Sequence, residues 1–170
     1  MGELRAHGLV VDVPPGWDGR ITRRPEHGDV SVATADAPPA TPGFSTRPVT
    51  HVASIALPGD MADFGADVVE DLGPDDAFVA LVEYDPASAG TTLFTAQGVP
   101  RSLDPELFSP TTLQRSVPGQ AGLQRFFSEQ GRALCLYVVL GSYARRHDVV
   151  PRVDEVLASV QVAPLAPGPE

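Results

Sequence analysis

An α+β domain, a mostly antiparallel sheet packed with helices, is predicted by three features of this sequence. Two strand-like runs, Leu123 to Ser128 and Ala133 to Leu140, are joined by Glu129-Gln130-Gly131-Arg132, the spacing of a hairpin. A long amphipathic stretch follows directly, from Asp148 to Ser159. Further short strand-like runs come earlier, each closed by Pro, Gly or Asp, which is turn chemistry between strands.

Leu9 to Val13 reads as the first strand, and Pro14-Pro15-Gly16 ends it, because proline cannot continue an inner strand. Trp17, the only tryptophan, comes next, a ring that favours burial. Gly19 to Arg24 suits a second strand, and Val30 and Val32 alternate with polar residues as a half-buried strand does. Residues 36–48 hold Pro38, Pro39, Pro42, Gly43 and Pro48 and read as a loop. Thr50 to Leu57 is a strand closed by Pro58-Gly59-Asp60.

Met61 to Leu72 has helical spacing. Phe64, Val68, Val69 and Leu72 share one face, and Asp63, Asp67, Glu70 and Asp71 lie mostly opposite. Asp60 would cap its start and Gly73-Pro74 its end. Ala77 to Tyr84 is the next strand. Residues 90–118 are rich in Thr, Ser and Pro and read as irregular, with a short strand near Leu93 to Ala96. In Ala133 to Leu140 both alternating faces are apolar, which predicts a central strand covered on both sides. In the last helix Val149, Val150, Val153, Val156, Leu157 and Val160 make the apolar stripe, with Asp148 as N-cap and Pro151 in the first turn. Gln161 and Val162 suit a short strand. The expected organisation is one globular domain over 1–163 with a proline-rich loop at 36–48, and a disordered tail at 164–170.

The strand ending in Val11-Asp12-Val13-Pro14-Pro15-Gly16-Trp17, and the hairpin and helix from Leu123 to Val162, resemble the Mog1/PsbP-like superfamily. The resemblance implies an α/β/α sandwich, an antiparallel sheet between helices. It also implies a protein-binding role, since members mostly bind a small GTPase, photosystem II subunits or the cargo of secretion systems. It carries no catalytic motif to this chain.

Composition narrows the classes. The formal charge is −10 with 22 acidic residues, which disfavours binding to phosphate backbones and anionic membranes. All 12 basic residues are arginine, and lysine and asparagine are absent, the usage of a GC-rich bacterial genome. One cysteine, Cys135, excludes an internal disulfide and any multi-cysteine zinc site. The first residues do not read as a signal peptide, and no apolar run approaches the roughly 20 residues that span a bilayer. The expected compartment is the cytoplasm.

No constellation predicts chemistry. The acidic residues from Asp60 to Asp76 lack EF-hand spacing. His7, His27, His51 and His147 lack HExxH spacing. Gly119-Gln120-Ala121-Gly122 precedes a strand, whereas a phosphate cradle precedes a helix. Cys135 sits in the most apolar run and reads as core. No catalytic, cofactor or metal residue is assigned. The expected role is a non-enzymatic protein-binding or accessory domain whose partner is another protein. Its candidate contact residues are Phe44, Leu107 and Phe108, apolar side chains in irregular context, and Arg145 and Arg146, a basic pair before a helix. Two alternatives stay open. One is a small-ligand binder or enzyme whose site forms only in the fold, around His51, Glu83 or Arg125. The other is a self-assembling subunit, a homo-oligomer joined through opposed Arg and Asp/Glu patches.

Overall fold

The structure, a computed structural model, describes residues 2–23, 47–59, 61–65 and 67–164. The strands β1 (Gly2–Ala6) and β2 (Leu9–Val13) form an antiparallel hairpin in which Gly2 faces Val13 and Ala6 faces Leu9. Its two-residue turn, His7-Gly8, has both φ angles positive, 53° and 81°, the backbone that matches the twist of hairpin strands. The first strand was not expected, because Glu3-Leu4-Arg5 shows only one apolar residue. Gly16, at φ 83°, completes the turn after β2, and Trp17 N–H donates to Pro14 O at 3.0 Å.

The main sheet has five strands: β3 (Asp18–Arg23), β4 (Pro48–Ala53), β5 (Ala77–Glu83), β6 (Ala121–Glu129) and β7 (Arg132–Leu140). Their order is β3-β4-β5-β7-β6, and every neighbouring pair is antiparallel. The β6–β7 hairpin turns at Gln130-Gly131, φ 54° and 78°, the second turn of this kind in the chain. All nine residues of β7 are buried, as the doubly apolar run predicts. β4 begins at Pro48, inside the stretch expected as loop, and ends at Ala53, four residues earlier than expected.

Alternation divides the core in two. Val52, Val79, Leu81, Leu134, Leu136, Leu123 and Phe127 point to one face, where α1 (Arg146–Ser159) packs with Val149, Val150, Val153, Val156 and Leu157 buried. Each such side chain stabilises the fold by about 1.5–3 kcal/mol through apolar burial. The helix begins two residues before the expected start, so Asp148 lies within it and Pro151 falls in its second turn. Its C-terminus leads into β8 (Gln161–Val162), which pairs with β2 to close a small β1-β2-β8 sheet. Val11 and Val13 join this same core.

Val49, Ala53, Phe78, Ala80, Val82, Tyr137 and Val139 point to the other face. A second helix was expected there, over 61–72. The described residues of that stretch contain only turns and one 3-10 turn, Val69–Asp71. The cause is Gly65, whose φ is +68° and which lies against the Phe78 ring where a side chain would clash. A left-handed residue ends a right-handed helix, and the expected cap, Asp60, lies outside the described residues. The apolar positions were nonetheless read correctly: Val68, Val69 and Leu72 are buried, and Phe64 packs beside them. Polar side chains fix this irregular cover. His51 Nε2 bonds Asp63 O at 2.9 Å, Gln120 Nε2 donates to Val69 O at 2.6 Å, and Arg20 donates to Pro58 O at 2.6 Å.

The short strand expected near 93–96 is instead a 3-10 turn, Thr92–Phe94, with Phe94 buried. The strand at 30–32 and all but Arg47 and Pro48 of the proline-rich loop lie outside the described residues, as does the tail beyond Pro164. Among the described residues no helix is long and apolar enough to cross a membrane.

Candidate protein-binding surface

The 3-10 turn Pro105–Leu107 is opened by Asp104, whose side chain accepts from Glu106 N at 2.9 Å. Proline at the first position fixes φ for the turn. Leu107 projects from it, 54% exposed. The next residue, Phe108, is 3% exposed and belongs to the helix-side core. It was expected at the surface beside Leu107; instead it anchors the turn, entering the core where the 3-10 turn ends and the backbone becomes extended at Phe108.

Glu106 ties this turn to the start of α1. Its carboxylate accepts from Arg146 Nε at 3.2 Å and Nη2 at 3.3 Å, and lies 2.8 Å from His147 Nε2. The Arg146 guanidinium holds the Glu106 carboxyl below its ordinary value. The same guanidinium stacks 4.1 Å over the Tyr143 ring and donates to Tyr143 O at 3.0 Å, so it is fixed from three sides. Arg145 donates to Asp75 Oδ1 at 2.8 Å and pairs with Asp148 Oδ2 at 3.1 Å. Asp75 and Glu106 push the pKa of Arg145 and Arg146 up.

Leu107, Arg145 and Arg146, read separately in the sequence, thus meet at the N-terminal end of α1. Phe108 supports them from below. Phe44 lies outside the described residues. Glu106, Asp75 and Tyr143 complete the arrangement; Glu106 and Tyr143 were not singled out in the sequence, and Asp75 was read only as one of the acidic residues from Asp60 to Asp76. The Asp104-Pro105-Glu106 run signals a turn, but no local pattern shows that it lies against Arg146, 40 residues on. The basic pair is no open anion site, since three carboxylates already engage it.

The residues considered for a ligand site do not converge. His51 is buried on β4 beneath the cover, Glu83 pairs with Arg132, and Arg125 donates to Gln124 O at 3.2 Å. An internal cavity of about 10 Å³ lies between α1 and the sheet, lined by Val52, Leu81, Leu136 and Val156, with Thr50 as its only polar residue. That is the room of about one water molecule. A wider depression of about 270 Å³ lies beside the His7-Gly8 turn and Gln161. Its Arg5 pairs with Glu3 at 3.1 Å, and it gathers no acid–base pair. Gln120, in the Gly119–Gly122 stretch that precedes β6, is buried and bonded to Val69.

Glu70, Asp75 and Asp76, of the acidic residues of 61–76, serve separate contacts. Glu70 pairs with Arg115 at 2.9 Å, and Asp76 accepts from Ser54 Oγ and Gly73 N, both at 2.8 Å. Among the described residues no group of three or more His, Cys, Asp or Glu side chains gathers to hold a metal ion. Burial raises the Cys135 thiol to about 11, which removes it as a nucleophile. Comparison with protein-family models, curated proteins and solved structures returns no match for this chain.

Proposed function

We propose that this chain is a non-enzymatic protein-binding or accessory domain, acting in the cytoplasm through the surface at the N-terminal end of α1. The observation that carries the reading is Leu107. It is a large apolar side chain, more than half exposed, on the turn whose Glu106 pairs with the fixed guanidinium of Arg146. An apolar anchor with a pre-organised arginine beside it is the composition that concentrates binding energy at protein interfaces. Pre-organisation lowers the entropy cost of docking, because Glu106 and Tyr143 have already ordered the arginine.

Kinship with the Mog1/PsbP-like superfamily is part of the proposal. Its support is the Pro14-Pro15-Gly16-Trp17 turn after β2 and the β6-β7-α1 order. The irregular cover, where the α/β/α sandwich places a second helix, is a departure from that pattern.

Affinity capture of the tagged full chain from its host lysate tests the role, with Leu107→Asp as the control. The substitution lies at an exposed position and leaves the fold intact. A stoichiometric partner recovered by the natural chain and lost by Leu107→Asp supports the proposal. Recovery of nothing, or equal recovery by both, overturns it.

A further inference from the structure

The outer edge of β6 is closed at its two ends by the chain itself. At one end Ser109 and Gly122 exchange both backbone hydrogen bonds, 3.0 and 2.9 Å. At the other, Ser128 N–H donates to Ala96 O at 2.8 Å and Gly98 N–H to Ser128 O at 2.9 Å. These contacts show that even-numbered residues of β6 turn their backbone groups away from β7. By the alternation of an antiparallel ladder, Gln124 and Phe126 do the same. Neither has a backbone partner on that side among the described residues. Only the Gln124 carbonyl is engaged, by Arg125 Nη1 at 3.2 Å.

Accessibility follows the same boundaries. Along β6 the residues are buried at Ala121–Leu123, half-buried at Gln124, Arg125 and Phe126, and buried again at Phe127 and Ser128. The stretch without pairing is the stretch open to solvent. Between the two closures the chain leaves the edge for the helix side, where Val99, Leu103 and Phe108 are buried and Leu103 N–H donates to Asp154 at 2.9 Å.

Two side-chain features flank the gap. On the cover face Phe126 stands in a ring cluster with Phe94 (5.5 Å, edge to face) and Tyr84 (6.4 Å). The turn that supplies Phe94 also carries Leu93, 56% exposed. On the helix face Arg125 lies between Leu123 and Phe127. Its guanidinium bonds only the Gln124 carbonyl and meets no carboxylate among the described residues. In a chain of net charge −10, this half-buried cation is complementary to an acidic group from outside.

We propose that the β6 edge between Gly122 and Ser128 is a docking site for an extended peptide segment of another protein, with a carboxylate residue between two apolar ones. Outward N–H and C=O groups at every second residue, about 7 Å apart, match only an extended backbone. The central acidic side chain of such a strand falls on the Arg125 face. The apolar residues on either side fall on the Phe126 face. The site uses none of Leu107, Arg145 or Arg146, so either surface can fail alone.

The test uses the ¹⁵N-labelled full chain and the peptide acetyl-Ser-Thr-Val-Glu-Val-Thr-Ser-amide, raised to millimolar concentration and followed by NMR. Saturable shifts and slowed hydrogen exchange at the Gln124 and Phe126 amides are expected, with weaker binding when lysine replaces the central glutamate. Gln124→Pro removes one outward donor and no ladder bond, and should weaken binding by about tenfold. Arg125→Glu should reverse the preference to the lysine peptide. Should Gln124→Pro fail to fold, N-methylation of the peptide amides tests the same bonds against the natural chain. No saturable shift at Gln124 and Phe126, or binding indifferent to both Gln124→Pro and N-methylation, overturns the proposal.

Discussion

Arg132 shows how much one side chain holds. Its guanidinium is 3% exposed, and Nε donates to Glu83 Oε2 at 3.0 Å while Nη2 donates to Oε1 of the same carboxylate. The remaining donors reach His7 O at 3.0 Å, Ala163 O at 3.1 Å and Gly8 O at 3.5 Å. It therefore ties the β1–β2 turn and the exit of β8 to the centre of the main sheet. Desolvation of a buried pair is costly, so the pair itself is not the source of net stability; losing one member is what destabilises. Arg132→Met strips the Glu83 carboxylate of its bidentate partner and leaves the His7 and Ala163 carbonyls short of a donor, while Gly8 O keeps the Ala163 N–H at 2.8 Å. The expected loss is about 3–5 kcal/mol, read by urea denaturation. Arg132→Met with Glu83→Leu should recover part of it, since the buried charge is then gone. A single variant within 1 kcal/mol or so of the natural chain would show that water replaces the guanidinium there. None of this was legible in the sequence, where Arg132 reads only as a hairpin residue. Its carbonyl partners lie 125 residues before it and 31 after it.

At the scale of the element, periodicity identified strands well and the cover poorly. β5, β6, β7 and α1 each show their burial in their own residues. The 61–72 stretch has the apolar spacing of a helix, yet one glycine under the Phe78 ring makes it irregular. The spacing reported which side chains are buried and not the backbone that buries them. The cover is held by long-range polar contacts that no local pattern encodes, and His51 is the most pH-sensitive of them. Asp63 O accepts only, so Nε2 carries the hydrogen, and Nδ1 is buried without a partner among the described residues. Burial, reinforced by Arg20, holds the His51 pKa below its ordinary value of 6.5, while the Asp63 contact opposes this. The unfolded chain then takes up a proton near pH 6.5 that the folded chain refuses until lower pH. Stability is full above that value and declines as pH falls below it, levelling off once the folded imidazole also protonates. Urea midpoints should fall from pH 7 to pH 5.5, and His51→Gln should flatten that slope. His7, also lowered by burial, Arg23 and Arg132, contributes the same sign in both proteins, so the difference isolates His51. Equal slopes would place the imidazole in contact with solvent.

For the whole molecule, the question is whether the two layers on the main sheet come apart separately. The central strands argue that they do not. β5 and β7 send alternate side chains into both cores, Leu81 and Leu136 to the helix side and Val82 and Tyr137 to the cover side. Removing either layer exposes one face of strands that the other layer needs in place. Native probes sit on each side. Trp17 packs on the helix-side core, with the Arg152 guanidinium 5.4 Å from its ring. Cys135 lies on the cover side of β7, fully buried, its thiol held at about 11. Thiolate is the reactive form, so labelling requires an opening that both exposes and solvates this residue. Tryptophan fluorescence and Cys135 labelling should therefore report one transition, with coincident urea midpoints and slopes. At low urea, Cys135 labelling under fast-closing conditions should track the global unfolding free energy. Labelling well before the fluorescence change would mean that the irregular cover leaves while α1 stays docked. In that event the cover would be a separately opening unit, its hold on the sheet set by His51, Gln120 and Arg20 rather than by the shared strands.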